Sequence, residues 1–158
     1  MLTGWKTDNI PANVKNESFH ETLTYLKTKI VNGQEIRSYL KKRVSSSGHV
    51  FLSYTKRQMS ETEMHRVELH RKVDKAIFDE FLEQRDETRK EVQRDTTHII
   101  FEDTNYLVES YDNFALLRIS TFSEDQDVKI PEWFGKSENV TEVEKYFSYN
   151  LSNVNFSA

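Results

Sequence analysis

The dipeptide Asn32-Gly33 constrains this chain more than any other feature, because it stands between two runs in which polar and apolar side chains alternate. Both residues of a type I′ turn need positive φ, and Asn-Gly adopts that geometry at least cost, so residues 22–31 and the run after it are expected to form a β-hairpin. A two-residue loop also sets the register. It pairs Val31 with Gln34, and counting outward pairs Thr28 with Arg37, Leu26 with Tyr39, Thr24 with Lys41 and Thr22 with Arg43. One face then carries threonines, a tyrosine and three cations. The opposite face carries Leu23, Tyr25, Val31, Ile36 and Leu40, interrupted by Lys27, Lys29, Ser38 and Lys42. Ser45-Ser46-Ser47-Gly48 turns the chain into a third strand over 49–56, with Leu52, Tyr54 and Lys56 on one face. Like charges crowded on one strand face repel, so such a face asks for an anion.

Beyond a polar connector at 58–63, alternation resumes over 64–71, with Arg66, Glu68 and His70 opposite Val67 and Leu69. Asp74 is placed to cap a helix over 75–84, where Ile77, Phe78, Phe81 and Leu82 recur at helical spacing. A fifth strand is expected over 92–101 with Arg94, Thr96 and His98 on one face, and 102–105 is a turn. The sixth strand, 106–111, puts Leu107 and Glu109 on one face. The seventh, 114–122, alternates Leu116, Arg118 and Ser120 with Leu117 and Ile119. After an acidic loop at 124–127, Ile130-Pro131 and Trp133-Phe134 make an apolar plug. Thr141 with Glu144 three residues on is a capping box, which predicts a short helix over 142–151. Residues 1–18 read as a polar leader and 19–158 as a single domain. The fold class is α+β: a mostly antiparallel meander, few glycines, polar alternate faces, closed or nearly closed into a tunnel-like barrel with a polar interior.

Composition narrows the function. Hydrophobic residues make up 36% of the 158, yet Phe 10 and Tyr 7 supply large side chains, so a thin core or a wet interior is expected. The net charge of -4 and the pI near 5.8 argue against generic binding to duplex nucleic acid. The cations are placed locally. With Cys 0 there is neither disulfide nor thiolate site, residues 1–18 are too polar for a signal peptide, and no apolar run approaches the roughly 20 residues of a membrane span. A cytoplasmic setting is expected. Cations lining a polar interior cost several kcal/mol each when desolvated and unpaired, so carboxylates, water or a bound polyanion must compensate them. Phosphate on a small molecule is the partner this geometry asks for.

In order along the chain, Thr24-Tyr25-Leu26, Lys41 and Arg43, Thr55-Lys56, and Arg66 with Glu68 are followed by Arg94 with Phe101. Tyr106, Val108, Glu109 and Tyr111, then Ala115-Leu116-Leu117, Ile130-Pro131 and Phe147-Ser148-Tyr149-Asn150-Leu151 complete the series. Taken together over about 19–152, these motifs resemble the CYTH superfamily, the triphosphate tunnel metalloenzymes, and more narrowly the CYTH-like domain that follows a nucleotide-binding module in some eukaryotic proteins. The resemblance implies that Arg37, Lys41, Arg43, Lys56, Arg66, Arg94 and Arg118 line a phosphate site. It also implies metal ligands that this chain largely lacks. Where the family has a first-strand glutamate the sequence reads Thr22, where it has a Glu-x-Glu pair the sequence reads Arg118 and Ser120, and a fifth-strand arginine is Thr96. Arginine reverses the local charge and cannot ligate Mg²⁺, which demands hard oxygen donors.

Glu68 and Glu109 remain as the candidate catalytic acids and as the candidate ligands for Mg²⁺ or Mn²⁺. The expected function is therefore binding of a triphosphate- or polyphosphate-bearing small molecule, a nucleotide or inorganic triphosphate, with weak or absent phosphohydrolase activity. Two alternatives stand beside it: a non-catalytic interaction or regulatory module on the same scaffold, and a protein that sequesters a nucleotide. An RNA 5′ end carrying a terminal triphosphate is a further ligand of the same chemistry. His70 and His98 fall on the polar faces without a metal-ligand spacing and read as hydrogen-bonded histidines.

Overall fold

The computed structural model describes residues 1–59, 67–121, 127–141 and 143–155. They gather into two compact units, Met1–His20 with Arg94–Val143 and Glu21–Gln93 with Glu144–Ser157. Residues 1–18, expected as a leader, belong to the first unit, where Leu2 and Val14 are buried.

In the first unit the strand order is β10-β1-β9-β8-β7-β2. Its members are β1 (Leu2–Thr3), the first part of β2 (Lys15–Tyr25), most of β7 (Val92–Phe101), β8 (Thr104–Ser110), β9 (Ala115–Ile119) and β10 (Lys136–Ser137). The turn from β7 to β8 is tight because Glu102 and Asp103 both take positive φ, 48° and 60°, and Phe101 pairs directly with Thr104. Strand β8 therefore starts two residues earlier than the sequence reading placed it. Alternation then sorts the two faces. Ile99, Tyr106 and Val108 pack with Leu2, Val14, Ala115 and Phe134. Phe134, in the 3-10 turn Glu132–Phe134, is fully buried, with the Trp5 and Tyr106 rings 5.5 and 5.2 Å from its own. The apolar plug expected from Trp133-Phe134 is thus the centre of this core. The other face of β7, β8 and β9 carries Arg94, Thr96, His98, Glu109 and Arg118, as the alternation predicts.

The second unit runs β2-β4-β5-β6, with β3 also paired to β4. Its strands are the end of β2, β3 (Lys29–Val31), β4 (Gln34–Ser45), β5 (Val50–Gln58) and β6 (Val67–Lys72). Asn32 and Gly33 have φ of 51° and 76°, and Val31 pairs with Gln34 and Lys29 with Ile36, as the hairpin requires. The counted register holds no further. Strand β2 ends at Tyr25, and the Leu26 N–H donates to the Ser38 carbonyl at 3.0 Å, one residue away from the Tyr39 pairing. The chain between β2 and β3 thus carries one extra residue, and a slip of one residue moves every side chain of β2 to the opposite face. Glu21 and Tyr25 meet Arg43 and Tyr39, whereas Leu26 packs against Leu40 and Phe78 on the other side. This overturns the expected partners of Thr22, Thr24 and Leu26.

Helix α1 (Lys75–Leu82) starts where Asp74 predicts, with the Asp74 carboxylate accepting from the Ile77 N–H at 2.9 Å. Phe78 joins Leu26 and Leu40, and Leu52, Tyr54, Val73, Phe81 and Leu82 pack around them. Each such side chain contributes about 1.5–3 kcal/mol when fully buried, so this side of β4 and β5 is the structural one. The single helix expected over 142–151 is not formed. Thr141 donates to the Asn139 side chain instead, and extended Phe147 (ψ 136°) separates a 3-10 turn, Glu144–Tyr146, from the short α2 (Ser148–Leu151). Glu142 lies outside the described residues. Among the described residues the strand run of each unit is open, and no helix is long and apolar enough to cross a membrane.

Candidate functional site

In the second unit the odd-numbered residues of β4 bring Arg37, Tyr39, Lys41 and Arg43 to the face away from α1. Antiparallel pairing sets Arg57, Thr55 and Ser53 of β5 opposite Arg37, Tyr39 and Lys41, and Glu68 and His70 of β6 opposite Arg57 and Thr55. Glu21 enters this face through the slip in β2. Its carboxylate is wholly buried, accepts from Arg43 Nε and Nη2 through Oε1 at 2.8 and 2.6 Å, and lies 3.9 Å from Lys41 Nζ. Burial of an ion is costly without such partners. Arg57 donates to Glu68 Oε2 at 2.7 Å and stands 5.3 Å over the Tyr39 ring. Burial works against the Arg57 charge, but Tyr39 and Glu68 outweigh it and its pKa is raised. Thr55 and His70 Nδ1 are 2.8 Å apart. Arg37 bonds Glu35 at 2.7 Å and stacks on the Tyr149 ring of α2 at 4.0 Å, a ring that Arg89 also covers at 3.5 Å.

The first unit has a smaller cluster. Arg94 donates to Glu109 Oε1 at 2.7 Å and to the Tyr111 hydroxyl at 3.2 Å, and Arg118 Nε reaches Glu109 Oε2 at 3.0 Å. The Tyr111 hydroxyl in turn donates to Glu109 Oε2 at 3.4 Å. Burial pushes the Tyr111 phenol up to about 12, with Arg94 pulling the other way. Thr96 is the direct cross-strand neighbour of Glu109; its hydroxyl is buried and makes no hydrogen bond among the described residues. The His98 ring meets Phe19 edge-on at 5.7 Å.

Of the residues singled out from the sequence, Arg37, Lys41, Arg43 and Glu68 share the face in the second unit, and Arg94, Glu109 and Arg118 share the one in the first. Lys56 does not join them. It pairs with Ser38 on the α1 side of the sheet and is exposed, while its neighbour Arg57 takes the opposite face, across from Arg37. Arg66 lies outside the described residues. Glu21 and Arg57 were missed. The alternation of Glu21, Leu23 and Tyr25 is as regular as that of Thr22, Thr24 and Leu26, and Arg57 continues the hydroxylated series Ser53 and Thr55, but only tertiary register chooses between the two faces.

Mg²⁺ requires several oxygen donors in near-octahedral array. Both Glu109 oxygens are engaged by guanidinium groups, Glu68 is held by Arg57 and Glu21 by Arg43, and among the described residues no three acidic, His or Cys side chains converge. These residues as arranged do not fit a divalent cation. They suit anions, since arginine presents a planar fork of donors to paired oxygens.

No family model matches the chain, and no curated protein matches it. A solved structure titled "The crystal structure of the hypothetical protein NE1496" is 20% identical, with 90% of each chain covered and a TM-score of 0.53. At that identity the likeness concerns the fold alone.

Proposed function

We propose that this chain binds a triphosphate- or polyphosphate-bearing small molecule, a nucleotide or inorganic triphosphate, on its cationic strand faces and holds it without cleaving it. The observation that carries this reading is the crowding of Arg37, Lys41, Arg43 and Arg57 on one face of β4 and β5, with Arg37 and Arg57 directly opposed. Directly opposed like charges destabilise a sheet. Lys41 and Arg43 share Glu21, Arg37 pairs with Glu35 and Arg57 pairs with Glu68. The side chains of Lys41, Arg43 and Arg57 are 17%, 27% and 22% exposed, so none of the three is sealed from solvent. Closure of the strands into a tunnel-like barrel, which the CYTH resemblance implies, belongs to this proposal, as does a cytoplasmic setting.

Absence of cleavage follows from the donor chemistry. Phosphoryl transfer draws on metal ions and a positioned water, and the carboxylates that would supply both are held by arginines. The test is calorimetric titration of tripolyphosphate and nucleoside triphosphates in EDTA, then with Mg²⁺ or Mn²⁺ while phosphate release is followed. Binding that persists in EDTA, weakens with salt and falls about tenfold or more in Lys41→Gln and Arg57→Gln, variants first shown to fold, is expected. Neither turnover nor salt-sensitive binding would sink the proposal and leave the interaction-module alternative.

A further inference from the structure

Resting on the polyphosphate reading, we infer that Tyr149 is a positioning residue that holds the Arg37 guanidinium ready for phosphate, which makes the short helix α2 part of the binding face. The Tyr149 ring centre lies 4.0 Å from the Arg37 guanidinium and 3.5 Å from that of Arg89. Two guanidinium groups that close to one ring centre do not fit on the same side of it, so the ring is held between them, a stacking that arginine favours. The ring is also fixed from its edge and its backbone. Arg89 Nη1 donates to the Tyr149 carbonyl at 2.9 Å and to Ser152 Oγ at 3.0 Å, and the Thr28 and Tyr149 hydroxyls are 3.2 Å apart. The Tyr25 ring meets Tyr149 edge-on at 5.3 Å, and the Tyr25 hydroxyl donates to Ser148 Oγ at 2.9 Å.

Arg37 is the member of this stack that keeps donors for a ligand. Glu35 accepts from its Nε at 2.7 Å, and among the described residues its Nη1 and Nη2 make no hydrogen bond. Its side chain is 23% exposed, and Arg57 stands directly across the sheet. One carboxylate on Nε and one ring under the plane fix how the guanidinium lies, so its two terminal amino groups are set as a fork before a phosphate arrives. The rotamer freedom of a long side chain is then lost in folding and not on binding, which lowers the entropy cost of capturing the anion. Arg89 does not share this role, since its Nη1 is used to hold α2. Tyr149 acts through Arg37 and not on the ligand.

The experiment is a double-mutant cycle read by calorimetric titration with tripolyphosphate in EDTA, with thermal melts confirming the fold of each variant. Its members are wild type, Tyr149→Leu, Arg37→Gln and the chain carrying both substitutions, with Tyr149→Phe as the conservative control. Leucine removes the stacking ring, whereas phenylalanine keeps the ring and loses only the contact with the Thr28 hydroxyl. Expected is binding about three- to tenfold weaker in Tyr149→Leu, the worth of ordering one long side chain, and within about twofold of wild type in Tyr149→Phe. Arg37→Gln should cost about tenfold, and adding Tyr149→Leu to it should cost nothing more, because a residue that acts through Arg37 has nothing left to position. Wild-type binding with no loss in Tyr149→Leu, or no loss in Arg37→Gln, overturns this inference alone. An equal loss from Tyr149→Leu with and without Arg37 overturns it too, since that is the mark of a merely structural role. A wild type that does not bind overturns both the inference and the proposed function. Should Tyr149→Leu fail to fold, Tyr149→Met, flexible enough to fill the place of the ring, enters the same cycle with the same expected and opposing results.

Discussion

Replacing Glu21 by glutamine separates the two possible registers of β2. In the observed register the Glu21 carboxylate is wholly buried and takes two charge-assisted hydrogen bonds from Arg43, at 2.8 and 2.6 Å, with Lys41 at 3.9 Å. Removing one partner of a buried ion pair costs about 3–5 kcal/mol. Two features lower that figure here. Glutamine keeps a carbonyl acceptor, and the Arg43 side chain is 27% exposed, so water takes up part of its charge. We expect a loss of about 2–3 kcal/mol, which for a chain of this length lowers Tm by roughly 4–12 °C. The comparison variant is Thr22→Val. Thr22 donates to Gln93 at 2.8 Å, an exposed pair on the opposite face from Arg43, and its loss should cost under about 1 kcal/mol. Thermal and urea unfolding followed by circular dichroism measure both. A Glu21→Gln protein within about 0.5 kcal/mol of wild type, beside a severely destabilised Thr22→Val, would refute the slip and restore the register counted from Asn32-Gly33.

Two other outcomes follow from the geometry. Because Tyr111 is pushed up to about 12, ultraviolet titration of the seven tyrosines should show one ionising about two pH units late, and that late step should vanish in Tyr111→Phe. Since the folded value is the raised one, the stability it brings is complete below pH 10 and is lost as pH climbs toward 12, a decline that Tyr111→Phe should lack. Lys56 lies on the α1 side of the sheet, so Lys56→Glu should leave tripolyphosphate affinity within about twofold, whereas Arg57→Gln should lower it about tenfold; equal effects of the two would contradict the pairing of β4 with β5.

Much of this fold could be read in the residues themselves. Asn32-Gly33 gave the hairpin, Asp74 the start of α1, and strict alternation the faces within each of β6 to β9, while the grouping of Arg94 with Glu109 and Arg118 was implied by the CYTH resemblance. Those features depend on local chemistry: positive φ, a capping carboxylate, the two-residue period of a strand. What escaped depends on distant partners. A single extra residue between Tyr25 and Lys29 carries no composition signal, yet it reversed β2 and hid Glu21. The turn at 45–49 has no fixed pairing of its own, so the choice of Arg57 over Lys56 is made by β4. The Thr141–Glu144 spacing matches a capping box, but Asn139 accepts both Thr141 hydrogen bonds and Phe147 takes extended geometry, so the helix shrinks to Ser148–Leu151.

The most direct measurement is a calorimetric titration of the wild-type chain with tripolyphosphate in EDTA, repeated at rising salt. Saturable binding without a divalent cation, weakening steadily as salt screens Lys41, Arg43 and Arg57, is the predicted result. Binding that appears only when Mg²⁺ or Mn²⁺ is added, or no binding under either condition, would contradict a face made for holding phosphate through its own cations.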